Sequence, residues 1–159
     1  MKKLIFIPVL IIFVLTSCSI KSADEYYNNT ENGTLTATIS INCSTAVKYK
    51  GSKRKKANIL TDYKVKFNKG DTVFDAFKTA CKNKKIQFEY SGMGDNIYIE
   101  GIDYLYEFEC GEHSGWEYSV NGDFPSVGCN AYELKNGDTI RWLYTCDLGA
   151  DIGNKYEHT

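Results

Sequence analysis

Thr72-Val73-Phe74-Asp75-Ala76-Phe77-Lys78-Thr79-Ala80-Cys81-Lys82-Asn83-Lys84-Lys85 decides how the rest of the chain is read. Val73, Phe74, Ala76, Phe77, Ala80 and Cys81 recur at spacings of three and four, while lysines fill the remaining turns, which is the pattern of an amphipathic helix. Thr72 and Asp75 have the spacing of a capping box. The hydroxyl accepts from a first-turn backbone N–H and the carboxylate accepts from the Thr72 amide. Lys82, Lys84 and Lys85 gather at the C-terminal end, where the helix dipole favours positive charge.

On both sides of this helix the period changes to two, the signature of half-buried strands. Upstream, Tyr63-Lys64-Val65-Lys66-Phe67 alternates and stops at Lys69-Gly70, and Thr34 to Cys43 places Leu35, Ala37, Ile39, Ile41 and Cys43 on one face. Downstream, strands are expected at Ile86 to Tyr90, Ile97 to Ile99, Tyr104 to Cys110, Trp116 to Val120 and Thr139 to Cys146. Asn121-Gly122 is the strongest hairpin signal in the chain. Two strands, one helix and then several strands predict an α+β domain, a β-grasp-like mixed sheet packed on one helix.

The N-terminus obeys other rules. Lys2 and Lys3 precede eleven apolar residues, Leu4 to Val14, too few to span a bilayer and of the length of a signal sequence. Leu15-Thr16-Ser17-Cys18 resembles the lipobox of bacterial lipoproteins, which implies cleavage before Cys18 and a diacylglycerol on its thiol. A plain secretory signal or an uncleaved anchor would export the chain equally. The expected organisation is a signal peptide over 1–17, the lipidated Cys18 and a polar tether over 18–33, the domain over 34–149 and a tail over 150–159. Lipid on Cys18, with more than one acyl chain such as palmitate, would hold the protein stably at the outer face of the cytoplasmic membrane. A chain of 159 residues has no room for a large multidomain enzyme.

The formal net charge of −1 conceals a strong polarity. From Lys48 to Lys85 thirteen Lys or Arg face three acids, a balance of +10, whereas from Ile86 to Thr159 three basic residues face fourteen acids, a balance of −11. Complementarity within one fold is expected before a binding face of one sign. The cluster Lys53-Arg54-Lys55-Lys56 is too short and too isolated to predict a nucleic-acid partner, and it is equally suited to anionic lipid.

The stretch Gly115-Trp116-Glu117-Tyr118-Ser119-Val120-Asn121-Gly122, with Phe124-Pro125-Ser126-Val127-Gly128-Cys129, Tyr132 to Ile140 and Trp142 to Gly149, resembles a family of bacterial surface proteins. Their domain is similar to the C-terminal domain of transcobalamin and intrinsic factor, the vitamin B12 carriers. The resemblance extends through Val73-Phe74-Asp75-Ala76 and Ile41-Asn42-Cys43. It implies a small β-grasp unit of the kind that closes over a corrinoid, without the helical domain that holds the corrinoid in those carriers. Twelve aromatic residues fall within positions 86–145, more than one small core buries easily, so some must line a groove or a surface. The candidate ligand-binding residues are Trp116, Tyr118, Phe124, Pro125, Gly128, Tyr132 and Trp142. Trp116, Tyr118, Trp142 and Tyr144 suit core or cross-strand pairs as well, and Phe124, between a turn and a proline, is the best candidate for exposure.

Cys43, Cys81, Cys110, Cys129 and Cys146 remain once Cys18 is assigned to lipid. Export favours disulfides. Cys43 at a strand end and Cys81 near the helix end are expected at one pole and form the first candidate pair. Cys110 with Cys129 is the second, which leaves Cys146 free; in a reducing habitat all five pack as small apolar thiols. Cys110, His113, Cys129 and Cys146 lack the paired knuckles of a zinc site, so no metal is expected. His113 and the terminal His158 are the only histidines, and no triad, phosphate loop or dinucleotide fingerprint is present. The expectation is a non-catalytic, membrane-anchored ligand-binding module with cobalamin as a possible ligand, or else a protein-interaction or adhesion module.

Overall fold

The computed structural model describes residues 33–155. The expected signal peptide, Cys18, the tether up to residue 32 and the last four residues lie outside the described residues. Among those described, no helix is long and apolar enough to cross a membrane.

The elements are β1 (Leu35–Asn42), α1 (Ser44–Lys48), β2 (Asn58–Phe67), α2 (Val73–Lys84), β3 (Phe88–Ser91), β4 (Tyr98–Ile102), β5 (Leu105–Tyr106), β6 (Gly115–Val120) and β7 (Thr139–Thr145), with 3-10 turns at Gly94–Asn96 and Ala150–Ile152. A four-stranded sheet runs β2-β1-β7-β6 and a smaller one β3-β4-β5. β1 and β7 pair in parallel, Ile39 with Ile140 and Ile41 with Trp142, while β2 and β6 add antiparallel on the two edges. The sheet is therefore mixed, and the α+β, β-grasp-like expectation holds.

Alternation along β1 and β7 sends Ile39, Ile41, Ile140, Trp142 and Tyr144 to one face, where each is at most 2 % exposed. The apolar stripe of α2, with Val73, Phe74, Ala76, Phe77, Ala80 and Cys81 all buried, lies against that face. Phe77 joins the layers. Its ring is 5.0 Å from Phe88 on β3 and 4.8 Å from Trp142 on β7.

The capping box of α2 forms as read. Asp75 N–H donates to Thr72 Oγ1 at 3.3 Å, and Thr72 N–H donates to Asp75 Oδ2 at 3.0 Å. Thr72→Ala is therefore expected to lower stability by about 1 kcal/mol, read as a reduced urea midpoint with an unchanged slope.

Four sequence expectations change. A single turn, α1, occupies part of what reads as loop, so the sheet packs on one long helix and one short one. β2 begins at Asn58 rather than Tyr63. The expected strand from Tyr104 to Cys110 shrinks to Leu105–Tyr106, because Asp103, Tyr104 and Phe108 take positive φ of 51°, 59° and 65° and turn the chain. Asn121-Gly122 does make a tight turn, with Val120 and Asp123 bridged, but no strand follows; β6 pairs instead with β7, after a loop of eighteen residues. Across the charge blocks, the Arg54 guanidinium forks onto Asp103, Nη1 to the backbone carbonyl at 2.8 Å and Nη2 to the carboxylate.

Candidate functional site

The loop from Asn121 to Asn130 is where the aromatic strands meet solvent, and α2 determines where it runs. The first N–H groups of a helix have no partner within it. Here Val73 N–H donates to the Tyr132 carbonyl and Phe74 N–H to the Cys129 carbonyl, both at 3.0 Å. The same segment is fastened to the smaller sheet by Asn130 Nδ2 on the Gly94 carbonyl at 3.1 Å. Tyr118 on β6 completes the attachment, its hydroxyl donating to the Val127 carbonyl at 2.7 Å.

Between this loop, the start of β4 and the β6–β7 pair lies a groove of about 250 Å³. Of the seven candidate ligand-binding residues, Trp116, Tyr118, Phe124, Pro125, Gly128 and Trp142 line it. Tyr132 does not, and instead sets its ring edge-on to Tyr118 at 6.5 Å. Trp116 and Trp142 are 4 % and 2 % exposed, so both serve as core and as floor. Phe124 is half-buried. The expectation that it is the most exposed aromatic is corrected: Tyr104 and Phe108 are, at 72 % and 62 %, because their left-handed backbone points them off a turn.

The polar groups sit on one rim. Asn154 Nδ2 donates to Glu117 Oε2 at 2.8 Å, and Tyr98 Oη donates to Glu107 Oε2 at 2.7 Å. Burial, reinforced by the Glu107 carboxylate, pushes the Tyr98 phenol up, and burial does the same to Tyr118, so both remain donors at neutral pH. The indole N–H of Trp116 is spent on the Leu105 carbonyl at 2.8 Å, whereas that of Trp142 is buried without a partner among the described residues. Glu117, Ile97 and Asn154 also line the groove, and no sequence motif marks them. Glu117 is visible only as the residue between Trp116 and Tyr118, and nothing local marks Asn154, which arrives from the tail.

Burial raises the Cys129 thiol to about 11, so it is not a thiolate at neutral pH. His113 stands with its side chain 54 % exposed, 3.6 Å from Glu112. Among the described residues, no group of three or more His, Cys, Asp or Glu side chains is arranged to hold a metal ion.

The cysteine pairing differs from expectation. Cys43, Cys81, Cys110, Cys129 and Cys146 are free thiols. Cys110 has Cys146, which the sequence reading leaves unpaired, as its neighbouring thiol, and not Cys129, whose Sγ faces the Ile97 carbonyl at 3.9 Å. Cys43 and Cys81 also part company. The Cys43 thiol points at the Lys56 and Ala57 carbonyls at 3.3 and 3.4 Å, whereas Cys81 is enclosed in the apolar face of α2. The physical reason is that β7 returns through the middle of the sheet and carries Cys146 to the turn holding Cys110.

Fold and groove together define a sheet-dominated α+β domain with an aromatic-floored cleft beside its one long helix. Residues 70–145 match the model of a family described as a domain of unknown function, DUF4430. No curated protein matches the chain. Among solved structures, haptocorrin in complex with Cbi is similar at 18 % identity and a TM-score of 0.49, covering 71 % of this chain and 26 % of that one. A protein from Ruminococcus gnavus ATCC 29149, described as a candidate metal binding protein, is similar at 8 % identity and a TM-score of 0.45, covering 70 % of this chain and 96 % of that one. The chain thus spans about a quarter of the haptocorrin chain it matches.

Proposed function

We propose that this protein is a non-catalytic ligand-binding module, anchored through Cys18 at the outer face of the cytoplasmic membrane, whose groove captures cobalamin or a related corrinoid by one edge. One observation carries the reading: six residues chosen for ligand binding from their sequence context line one groove. The half-buried Tyr118, Phe124 and Pro125 offer apolar area above the buried indoles, and the Glu117–Asn154 rim offers an acceptor and an amide to a ligand's polar side groups. A volume of about 250 Å³ falls below the roughly 300–1,000 Å³ of pockets that enclose drug-sized ligands. A corrinoid would therefore lie partly outside, its far face left for a partner.

Calorimetric titration of the purified protein with cyanocobalamin tests this. The expected result is saturable binding that weakens at least tenfold in Phe124→Ala, a half-buried lining residue whose loss leaves the core intact. Absence of heat at high micromolar ligand would overturn corrinoid capture by this chain alone. That outcome would favour the second reading, a protein-interaction or adhesion module, which is supported by the exposed Tyr104 and Phe108 on the turns around β5.

A further inference from the structure

The thiols of Cys110 and Cys146 are brought together by tertiary structure, thirty-six positions apart in the chain. Tyr144, two residues before Cys146 on β7, donates its hydroxyl to the Tyr106 carbonyl at 2.7 Å and meets Ser114 Oγ at 3.0 Å. Ser114 Oγ in turn accepts from Cys110 N–H at 3.1 Å. Past the strand, Leu148 N–H donates to the His113 carbonyl at 3.0 Å. The turn carrying Cys110 is therefore fastened to the chain on both sides of Cys146, through Tyr144 on β7 and Leu148 beyond it, which sets the two thiols beside each other. Accessibility is unequal: Cys110 is 2 % exposed, whereas Cys146 is half-buried.

We propose that Cys110 and Cys146 are a disulfide-forming site, oxidised by a low-molecular-weight disulfide on which Cys146 is the attacking thiol. The Cys146 thiolate displaces one thiolate from the small disulfide and forms a mixed disulfide. The Cys110 thiolate then attacks the Cys146 sulfur and releases the second small thiolate. The protein loses two protons and two electrons as one small disulfide becomes two thiols. Cys43 is the nearest rival, but it is 0 % exposed and its thiol is held on the Lys56 and Ala57 carbonyls. The cross-link would close the segment that contains all seven candidate ligand-binding residues, joining the turn after the smaller sheet to the residue that follows β7 of the main sheet. Burial pushes the Cys146 thiol up to about 12, so exchange at neutral pH is slow and is followed over hours.

The test is to incubate the reduced, folded protein with oxidised glutathione, block the remaining thiols and map the peptides without reduction. The expected product is a Cys110–Cys146 linked peptide two hydrogens lighter than the sum of its parts, with Cys43, Cys81 and Cys129 blocked only after unfolding. In Cys110→Ser the mixed disulfide with glutathione should persist on Cys146. In Cys146→Ser, Cys110 should stay unmodified while the fold is native. A Cys110–Cys129 or Cys43–Cys110 peptide would overturn the proposal, as would glutathione remaining on Cys146 of the unsubstituted protein.

Discussion

Phe77→Ala is expected to destabilise the domain by about 3–5 kcal/mol, a large share of the roughly 5–15 kcal/mol that holds an ordinary fold together. Phe77 is 0 % exposed, and its ring touches Phe88 of the smaller sheet and Trp142 of the larger one, so truncation opens a cavity where helix and both sheets meet. Two sources of energy are lost together. One is the transfer of a phenyl ring out of water with the cavity left behind, and the other is a pair of aromatic contacts worth about 0.5–1.5 kcal/mol each. Urea unfolding followed by far-ultraviolet circular dichroism gives the magnitude. Phe88→Ala is the comparison. That ring is half-buried at the edge of the stack and should cost clearly less. A Phe77→Ala loss below about 1 kcal/mol would show that the helix is not held to the sheets through this ring.

What the sequence displays well is what is locally determined. The capping box and the stripe of α2 need only residues 72–85, and the alternation of β1 and β7 needs only each strand's own two faces. The elements that escape are held from far away or by unusual backbone. α1 is five residues with no side-chain cap, and its place is set by the buried Ala46 and by Thr45 Oγ1 donating to the Tyr144 carbonyl, ninety-nine positions distant. The first half of β2 loses its period where the pairing with β1 shifts register and Asp62 takes a φ of 43°. Tyr104 to Cys110 alternates as regularly as any strand, yet left-handed turns at Asp103, Tyr104 and Phe108 bend it, and none of these is glycine.

The groove was legible in part because aromatic side chains on alternate positions of paired strands must share a face. Trp116 pairs with Tyr144 and Tyr118 with Trp142 across β6 and β7, and the loop between the strands has nowhere to lie but over them. Tyr132 lies one layer away from the cleft: its backbone carbonyl is held by the helix N-terminus, which turns its ring against Tyr118. The cysteine pairing was illegible because it depends on which strand takes the central place beside β1. Sequence order puts Cys129 nearer to Cys110, but the parallel β1–β7 pair carries Cys146 there instead.

Gly128→Ala is expected to damage the groove more than any other substitution in its loop. A Cβ at residue 128 would lie 2.3 Å from the Asp95 carbonyl oxygen, a backbone atom that no rotamer change can move. The loop must lift from the Gly94–Asn96 turn, which weakens the Asn130–Gly94 bond and the Tyr118–Val127 bond that fix its height. The predicted cost is about 1–3 kcal/mol of stability from overpacking. Emission of Trp116 and Trp142, the chain's two tryptophans, should shift to the red as the lifted loop admits water to their cleft. Any ligand gripped by the groove should be lost at least tenfold. Gly122→Ala separates this steric effect from backbone strain. Gly122 has a φ of +96° and open space where a Cβ would stand, so alanine there should cost about 1 kcal/mol through the turn alone and leave the emission maximum in place. Equal spectra and equal losses for the two variants would mean that the loop is not seated on the Asp95 carbonyl, and the groove would then have no fixed wall on that side.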